Sequence, residues 1–186
     1  DTYYGLHALQ HRGQEASGII SHAKNSAGKS IFNIVKGDGL VSEVFSDSTV
    51  LSRVLEGNSA IGHNRYSTTG SSFHGKNIQP LYVHYRNGNL AVAHNGNLTN
   101  EREIREDLVD SGSIFQTTTD TEVILHLIAK SRLETQIDQV KDALSRVEGA
   151  YCLLILTDDK LIAARDPFGF RPLCIGKKDG YFVIAS

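Results

Sequence analysis

The sequence predicts an α+β fold in which antiparallel sheets pack against helices. Two observations carry this prediction. Apolar, strand-like runs occupy the first half of the chain and return at its end, and a block of three amphipathic helices lies between them. Such segregation indicates separate layers of sheet and helix, whereas a parallel α/β sheet requires strands and helices to alternate.

The predicted strands are short apolar runs bounded by polar or glycine-rich stretches. A short helix near the N-terminus ends before Gly13. The first group of strands is predicted at residues 18–20, 31–35, 59–66 and 90–93. The second group closes the chain at residues 151–157, 161–164, 173–176 and 181–185.

Three helices are predicted between these groups. The first begins near Asn100 and ends at Gly112. The second opens with Thr119-x-x-Glu122, a capping-box pattern. The third has apolar residues at spacings of three, four and three and then meets Gly149, which is predicted to be its C-cap.

Composition excludes several classes of function. The 186 residues fit one domain (1–186) with a net charge of −2 and no run of Lys or Arg, so nothing indicates nucleic-acid or anionic-membrane binding. No apolar stretch approaches the ~18–20 residues of a membrane span, and no signal peptide opens the chain. Cys152 and Cys174 lie in apolar runs, which predicts two buried thiols in a reduced, cytoplasmic protein.

Residues 94–97 (His-Asn-Gly-Asn) follow an apolar strand and carry two conflicting interpretations. Asn-Gly after a strand is a strong hairpin-turn signal, and the turn is the favoured interpretation of the tetrapeptide alone. The pair also fits an oxyanion hole, because the Asn95 side-chain amide and the Gly96 backbone N–H can direct two donors at one point.

Other polar motifs suit the binding of an amino acid. Arg65 ends a strand and precedes a loop containing Thr68, a combination that can bind a carboxylate, although a surface arginine is the plainer interpretation. Asp120 begins a helix, where it can cap the helix or hold a ligand ammonium. His7 and His11 are four residues apart, but no third ligand is placed, so no metal site is predicted.

Five motifs occur in one order and together resemble a known family. They are residues 9–15, 62–70, 94–98, 118–122 and 165–173. The set is similar to the glutaminase domain of amidophosphoribosyltransferases, which are class II (N-terminal-nucleophile) glutamine amidotransferases, and the resemblance covers essentially the whole chain. It implies a four-layer αββα sandwich of the N-terminal-nucleophile hydrolase type, lacking its first strand here.

The resemblance implies a role for each matching residue. Asn95 and Gly96 would form the oxyanion hole for cleavage of the glutamine amide. Arg65, helped by Thr68, would bind the α-carboxylate, and Asp120 with the Gly96 carbonyl would bind the α-ammonium. Arg12 and residues 166–172 are interpreted as scaffold near the site. The released ammonia would convert PRPP to 5-phosphoribosylamine in purine biosynthesis.

In this family the nucleophile is a cysteine at the first position of the mature chain, followed by glycine. This chain begins with Asp1, and neither Cys152 nor Cys174 matches that position. These residues are therefore expected not to hydrolyse glutamine by themselves. Two alternatives remain open: the glutaminase domain of another class II enzyme, such as glucosamine-6-phosphate synthase, and a nucleophile-less binding module of the same fold.

The resemblance also implies partners beyond these residues. A covalently linked C-terminal phosphoribosyltransferase domain is expected, with Mg²⁺ bound alongside PRPP, and the full-length protein is expected to form a homo-oligomer. Some family members hold a 4Fe–4S cluster, whose ligands would also lie outside this sequence. No cofactor is expected in the glutaminase domain itself.

Overall fold

The computed structural model describes residues 1–66, 75–178 and 180–186. Helices and strands follow in the predicted order of strands, helices and strands, which confirms the α+β class. The helices are α1 (Thr2–Ala8), α2 (Val41–Val44), α3 (Glu101–Asp110), α4 (Asp120–Lys130) and α5 (Gln136–Leu144). The strands are β1 (Ala16–Lys24), β2 (Ser30–Asp38), β3 (Ser59–Arg65), β4 (Leu81–Tyr85), β5 (Gly88–Leu98), β6 (Gly149–Thr157), β7 (Leu161–Arg165), β8 (Cys174–Lys178) and β9 (Tyr181–Ala185).

The described strands form antiparallel sheets. The first sheet has the order β2-β1-β3, and the second has the order β4-β5-β6-β7. Strands β8 and β9 pair with each other as a separate hairpin. Sequence analysis did not predict β4 or the short helix α2, each of which contributes only a few residues to the fold.

Three apolar clusters fix the order of the layers. Helices α1 and α2 cover one face of the first sheet, and the other face of that sheet packs against the second sheet. The far face of the second sheet is covered by α3, α4 and α5. Each sheet thus buries both faces, because its apolar side chains must be removed from water on both sides. The layers run helix, sheet, sheet, helix, as the resemblance implied.

Strand β5 lies in the middle of this sandwich and presents different residues to its two sides. Successive side chains of a strand point to opposite faces. Ala91 and Ala93 lie in the cluster between the sheets, so Asn95 also faces the first sheet. Val92 and Leu98 lie in the cluster under the helices, so His94 faces α4.

The hairpin-turn interpretation of residues 94–97 is wrong. Strand β5 continues to Leu98 and pairs with β6 throughout, with Asn95 opposite Cys152 and Gly96 opposite Tyr151. A Cβ at Gly96 would overlap the carbonyl oxygen of Ala150 and lie 2.8 Å from the Tyr151 Cα. Glycine is therefore required here by the close approach of two strands, a tertiary constraint that produces the same local sequence as a turn.

One predicted helix end and one predicted capping box are also wrong. Helix α5 ends at Leu144 with Ser145 as its C-cap, and Gly149 instead opens β6 with a φ of 129°. Thr119 precedes α4 but makes no side-chain cap. The Glu122 carboxylate accepts backbone N–H groups from the preceding loop rather than from the cap residue, so the capping box does not form.

Cys152 is buried, as predicted, but the prediction for Cys174 is wrong. Cys174 begins β8, whose residues are exposed because, within the described residues, this hairpin pairs with neither larger sheet. Both cysteines are free thiols. No helix in the described parts of the chain combines the length and apolar character needed to cross a membrane.

Candidate active site

The candidate site lies on the edge of β5 that extends beyond β4. Strand β4 pairs only with residues 88–92 of β5, so the backbone from His94 to Leu98 has no β4 neighbour on that edge. In an antiparallel strand, the N–H and C=O of one residue point to the same side, and the side alternates along the chain. The direction of each peptide group therefore decides what this edge offers.

Gly96 directs its backbone groups to the open edge. Its partner Tyr151 uses both of its own backbone groups on the other side of β6, where its carbonyl accepts from the Asp166 N–H at 2.8 Å and its N–H donates to Asp166 Oδ2 at 3.3 Å. Tyr151 and Gly96 consequently form a non-hydrogen-bonded pair, and the Gly96 groups point away from β6. None of the described side chains accepts the Gly96 N–H.

The neighbouring backbone groups on this edge are satisfied by side chains. The His94 N–H donates to Gln79 Oε1 at 2.7 Å, and the His94 carbonyl accepts from His63 Nε2 at 3.1 Å. The Leu98 N–H donates to Asp120 Oδ2 at 3.0 Å. Gly96 therefore lies between two anchored positions, and its N–H and C=O are the groups that a ligand can use.

The Asn95 side chain enters the space between the two sheets. A cavity of about 970 Å³, which extends to α1 and to the β8–β9 hairpin, is lined there by Asn95 together with His63, Ala93 and Cys152. The Asn95 amide donates from Nδ2 to Ser186 Oγ at 2.9 Å. The two donors singled out in the sequence thus belong to adjacent residues: the Asn95 amide lines this cavity, and the Gly96 N–H points to the open edge of β5.

Asp120 approaches the same edge from the first turn of α4. Its carboxylate accepts the Leu98 N–H, lies 3.3 Å from His94 Nδ1 through Oδ1, and accepts from Thr121 Oγ1 at 3.4 Å. Burial acts to raise the pKa of Asp120, but its hydrogen bonds, first of all the one from His94, outweigh burial and hold the pKa below its usual value. Capping of its own helix therefore does not by itself account for Asp120, because the carboxylate also binds the backbone of β5.

The loop before Asp120 is held by residues to which sequence analysis gave no role in the site. The Glu122 carboxylate accepts the N–H groups of Gln116 and Thr117 at 2.8 and 2.7 Å. The Arg105 guanidinium donates to the carbonyl oxygens of Thr117 and Thr119 at 3.2 and 2.7 Å. The signal in the sequence is a glutamate two residues after Asp120, which the capping-box pattern assigns to the helix cap instead.

Arg65 lies at the end of β3 on the face turned towards the second sheet. The alternation of the strand places it on the same side as Ile61, which packs between the sheets, and His63, which reaches β5. No carboxylate among the described residues forms an ion pair with its guanidinium. Thr68, its predicted helper, lies outside the described residues.

The polar run at residues 9–15 supports this end of β3. A Cβ at Gly13 would lie 2.8 Å from the backbone of Asn64, and the Glu15 N–H donates to the Arg65 carbonyl at 3.1 Å. Close backbone contact rather than chemistry therefore accounts for this motif. Arg12 is exposed and borders the cavity, which is compatible with its interpretation as scaffold.

His63 is neutral near pH 7 because its surroundings oppose a charge. Burial is the main cause that lowers the pKa of His63 to about 4, and the neighbouring His94 and Arg65 act in the same direction. Because a carbonyl oxygen can only accept, the contact with the His94 carbonyl places the single proton on Nε2.

Cys152 pairs with Asn95 and so lies close to the candidate donors, but its side chain is buried in the core. It faces Asn95 across the two strands and is 3% exposed. Its Sγ contacts the carbonyl oxygens of Arg171 and Pro172 at 3.6 and 3.3 Å. The segment that supplies these carbonyls is organised by the buried Asp166, which accepts the N–H groups of Phe168 and Phe170 at 3.0 and 3.2 Å. This packing is compatible with the scaffold interpretation of residues 166–172.

No group of three His, Cys, Asp or Glu side chains suited to a metal ion occurs in the described parts of the chain.

The chain matches a known protein family. Residues 63–186 match a family model described as a glutamine amidotransferase domain. The matched stretch contains Arg65, Asn95, Gly96 and Asp120.

Curated relatives are similar over the whole chain. Amidophosphoribosyltransferase 2, chloroplastic, of Arabidopsis thaliana is 50% identical over 185 residues, which are 99% of this chain and 32% of that protein. Amidophosphoribosyltransferase of Bacillus subtilis (strain 168) is 48% identical over 186 residues, which are 100% of this chain and 37% of that protein. The chain thus spans about a third of the length of these relatives.

Solved structures agree with the fold. The glutamine phosphoribosylpyrophosphate (PRPP) amidotransferase from B. subtilis, complexed with ADP and GMP, superposes with a TM-score of 0.87 at 46% identity. The match covers 98% of this chain and 38% of that chain.

Proposed function

Because the chain belongs to the glutamine amidotransferase domain family, we propose that it forms the part of an amidophosphoribosyltransferase that hydrolyses glutamine. The observation that carries this proposal is the open edge of β5. Gly96 offers an unused N–H and C=O there, the Asn95 amide lies beside it, and the Asp120 carboxylate is fixed two positions farther along the strand.

These groups suit both ends of glutamine. The Asn95 amide and the Gly96 N–H would donate to the oxyanion that forms when a nucleophile adds to the side-chain amide carbon. The Asp120 carboxylate and the Gly96 carbonyl would accept the α-ammonium, and Arg65 would bind the α-carboxylate, with Thr68 as a proposed further donor. Two opposite charges at a fixed separation would place the amide at the oxyanion donors.

The proposed reaction passes through a thioester. A cysteine thiolate adds to the amide carbon, the C–N bond breaks and the nitrogen leaves as ammonia after taking up a proton. Water then adds to the thioester carbon, and the thiolate is released with glutamate as the product. The oxyanion donors act on both tetrahedral intermediates.

We place the nucleophile outside these 186 residues. The thiol of Cys152 is buried against carbonyl oxygens, and Cys174 lies on the exposed hairpin. The proposed nucleophile is an N-terminal cysteine of the mature protein, whose own α-amine has an ordinary pKa of ≈ 7.7–8.0 and can relay the proton at neutral pH.

The remaining activity is proposed for the whole protein. A linked phosphoribosyltransferase domain would use the ammonia to convert PRPP, bound with Mg²⁺, to 5-phosphoribosylamine in purine biosynthesis. We also propose that the whole protein forms a homo-oligomer and is cytoplasmic. Iron analysis of the full-length protein would decide whether it is one of the family members with a 4Fe–4S cluster. The names of several plant relatives place those proteins in the chloroplast.

The test is glutamate release from glutamine by the full-length protein. Asn95→Ala is expected to lower kcat by about 10²–10³, the usual loss when one oxyanion donor is removed. Asn33→Ala is the matched control, because Asn33 is also a partly buried strand asparagine that donates one side-chain N–H, to the Glu56 carbonyl at 3.2 Å.

Three outcomes separate the alternatives. Activity that survives Cys152→Ser but is lost on replacing an N-terminal cysteine supports the proposed nucleophile. Glutamine binding without hydrolysis in the full-length protein indicates the binding module instead. An unchanged kcat in Asn95→Ala removes Asn95 from the oxyanion hole.

A further inference from the structure

His94 contacts three separate parts of the fold, namely the segment before β4, strand β3 and helix α4, yet the proposed chemistry gives it no task. It is 4% exposed and lies on the helix side of β5. Its backbone is held by Gln79 and His63, and its imidazole lies between Asp120 and the backbone of Gly96. A buried imidazole between the two halves of a ligand site can fix the position of both.

The surroundings of the ring fix its tautomer. Nδ1 lies 3.3 Å from Asp120 Oδ1 and 3.3 Å from Thr121 Oγ1. The Thr121 hydroxyl donates to Asp120, so its oxygen is left to accept, and the carboxylate can only accept. Nδ1 therefore carries a proton, and His94 donates it towards the Asp120 side.

The other ring nitrogen faces Gly96. Nε2 is buried and has no hydrogen-bond partner among the described residues. A Cβ built on Gly96 would lie 2.8 Å from it, so the ring packs directly against the glycine backbone. Both ends of the imidazole are thus in contact with groups that the proposed function assigns to glutamine.

We propose that His94 is a positioning residue for the glutamine α-ammonium site, holding the Asp120 carboxylate through its Nδ1–H. This inference rests on the proposed function. Together with the Leu98 N–H on the other oxygen, the imidazole leaves Asp120 one orientation towards the open edge of β5. A carboxylate held by two fixed donors does not need to reorganise when the ammonium arrives.

The position of each donor decides the choice of variants. His94→Leu removes both ring nitrogens, His94→Asn keeps an amide donor near the Nδ1 position, and His94→Gln moves the amide towards the Nε2 position. His84→Leu is the matched control, since His84 is an exposed histidine on β4 whose Nδ1 contacts Asn89.

The kinetic experiment compares two substrates with the full-length protein. Glutamine carries the α-ammonium, whereas glutaramic acid is the same amide without it. His94→Leu and His94→Gln are expected to lower kcat/KM for glutamine by about 10- to 100-fold, the range for a lost hydrogen bond to a charged group, mainly through KM. The loss for glutaramic acid is expected to be no more than about threefold, and His94→Asn is expected to recover most of the activity on glutamine.

Equal losses on both substrates, or His94→Asn as impaired as His94→Leu, would show that the ring has a general structural role and would overturn the proposal. A measurement on the unmodified protein covers variants that fail to fold. Nitrogen-15 NMR of the labelled imidazole is expected to show His94 protonated on Nδ1 and bare on Nε2, and the opposite tautomer would overturn the proposal.

Different results would contradict the proposed function and the proposed role of His94. If the unmodified full-length protein releases no glutamate from glutamine, the proposed function is wrong, and the NMR measurement still decides whether His94 donates to Asp120. If glutamine is hydrolysed but the substrate comparison shows no dependence on the α-ammonium, the function stands and the role of His94 is wrong.

Discussion

Replacing Gly96 by alanine tests the close approach of β5 and β6 directly. The new Cβ would overlap the Ala150 carbonyl oxygen and lie 2.8 Å from both His94 Nε2 and the Tyr151 Cα. Ordinary carbon contacts begin near 3.4 Å, so these neighbours must withdraw by about half an ångström or more. Most of the obstructing atoms belong to the backbone, which moves only if the two strands separate.

Two quantities should change together. Forcing one methyl group into a packed site costs typically about 1–3 kcal/mol in the free energy of unfolding. Displacement of the Gly96 N–H and of His94, which contacts Asp120, should also lower kcat/KM for glutamine. A misplacement of ~1 Å can lower the rate about 10²-fold. A shift of half that size therefore predicts a loss of about tenfold.

The assays are urea unfolding followed by circular dichroism, and glutamate release by the full-length protein. Gly5→Ala is the control, because no atom lies within 4 Å of the Cβ it would add and Gly5 lies within α1. Alanine there should raise the free energy of unfolding by about 0.5–1 kcal/mol. If Gly96→Ala is as stable and as active as the unmodified protein, the packing argument for this glycine is refuted.

Three further predictions follow from individual contacts. Arg65→Ala should raise KM for glutamine with little change in kcat, and an unchanged KM in steady-state assays would contradict its role with the α-carboxylate. Glu122→Gln should lower the free energy of unfolding by about 1–3 kcal/mol in urea titrations. Each oxygen of the Glu122 carboxylate accepts one N–H, from Gln116 or from Thr117, and an amide would leave one of these two N–H groups facing an NH₂ group. Lowering the pH from about 6.5 towards 4 should lower the free energy of unfolding by up to about 3 kcal/mol through His63. Folding lowers the pKa of His63 from 6.5 to about 4, so the unfolded chain binds the proton first. The stability is fully present above pH 6.5, and His63→Gln should flatten this part of the pH profile.

Local patterns predicted the layers well because each depends on near neighbours in the chain. The alternation and apolar runs around β1, β3 and β6 reflect burial on one or both faces of a strand. The amphipathic spacing of α3 and α5 likewise follows from one buried helix face. Short elements such as α2 carry too few residues to produce a period and were missed.

Patterns that several structures share were misassigned. Asn-Gly is typical of a turn, but at Gly96 the cause is an adjacent strand that leaves no room for a side chain. Thr119-x-x-Glu122 is typical of a helix cap, but the glutamate binds the loop before the helix. A local sequence cannot distinguish these causes, because the deciding atoms lie on Ala150 and in the loop at residues 116–117, outside each pattern.

The sequence by itself determined the α+β class, the order of the motifs and the residue types that suit glutamine. Tertiary structure alone decided which groups meet. Pairing with β6 turned the Gly96 N–H to an open edge, and packing of α4 against β5 brought Asp120 to the Leu98 N–H. The same packing placed the His94 imidazole between Gly96 and Asp120. The reason is physical: residue type and spacing are local, whereas the direction of a peptide group and the partner of a buried carboxylate depend on strand register and helix packing between distant segments.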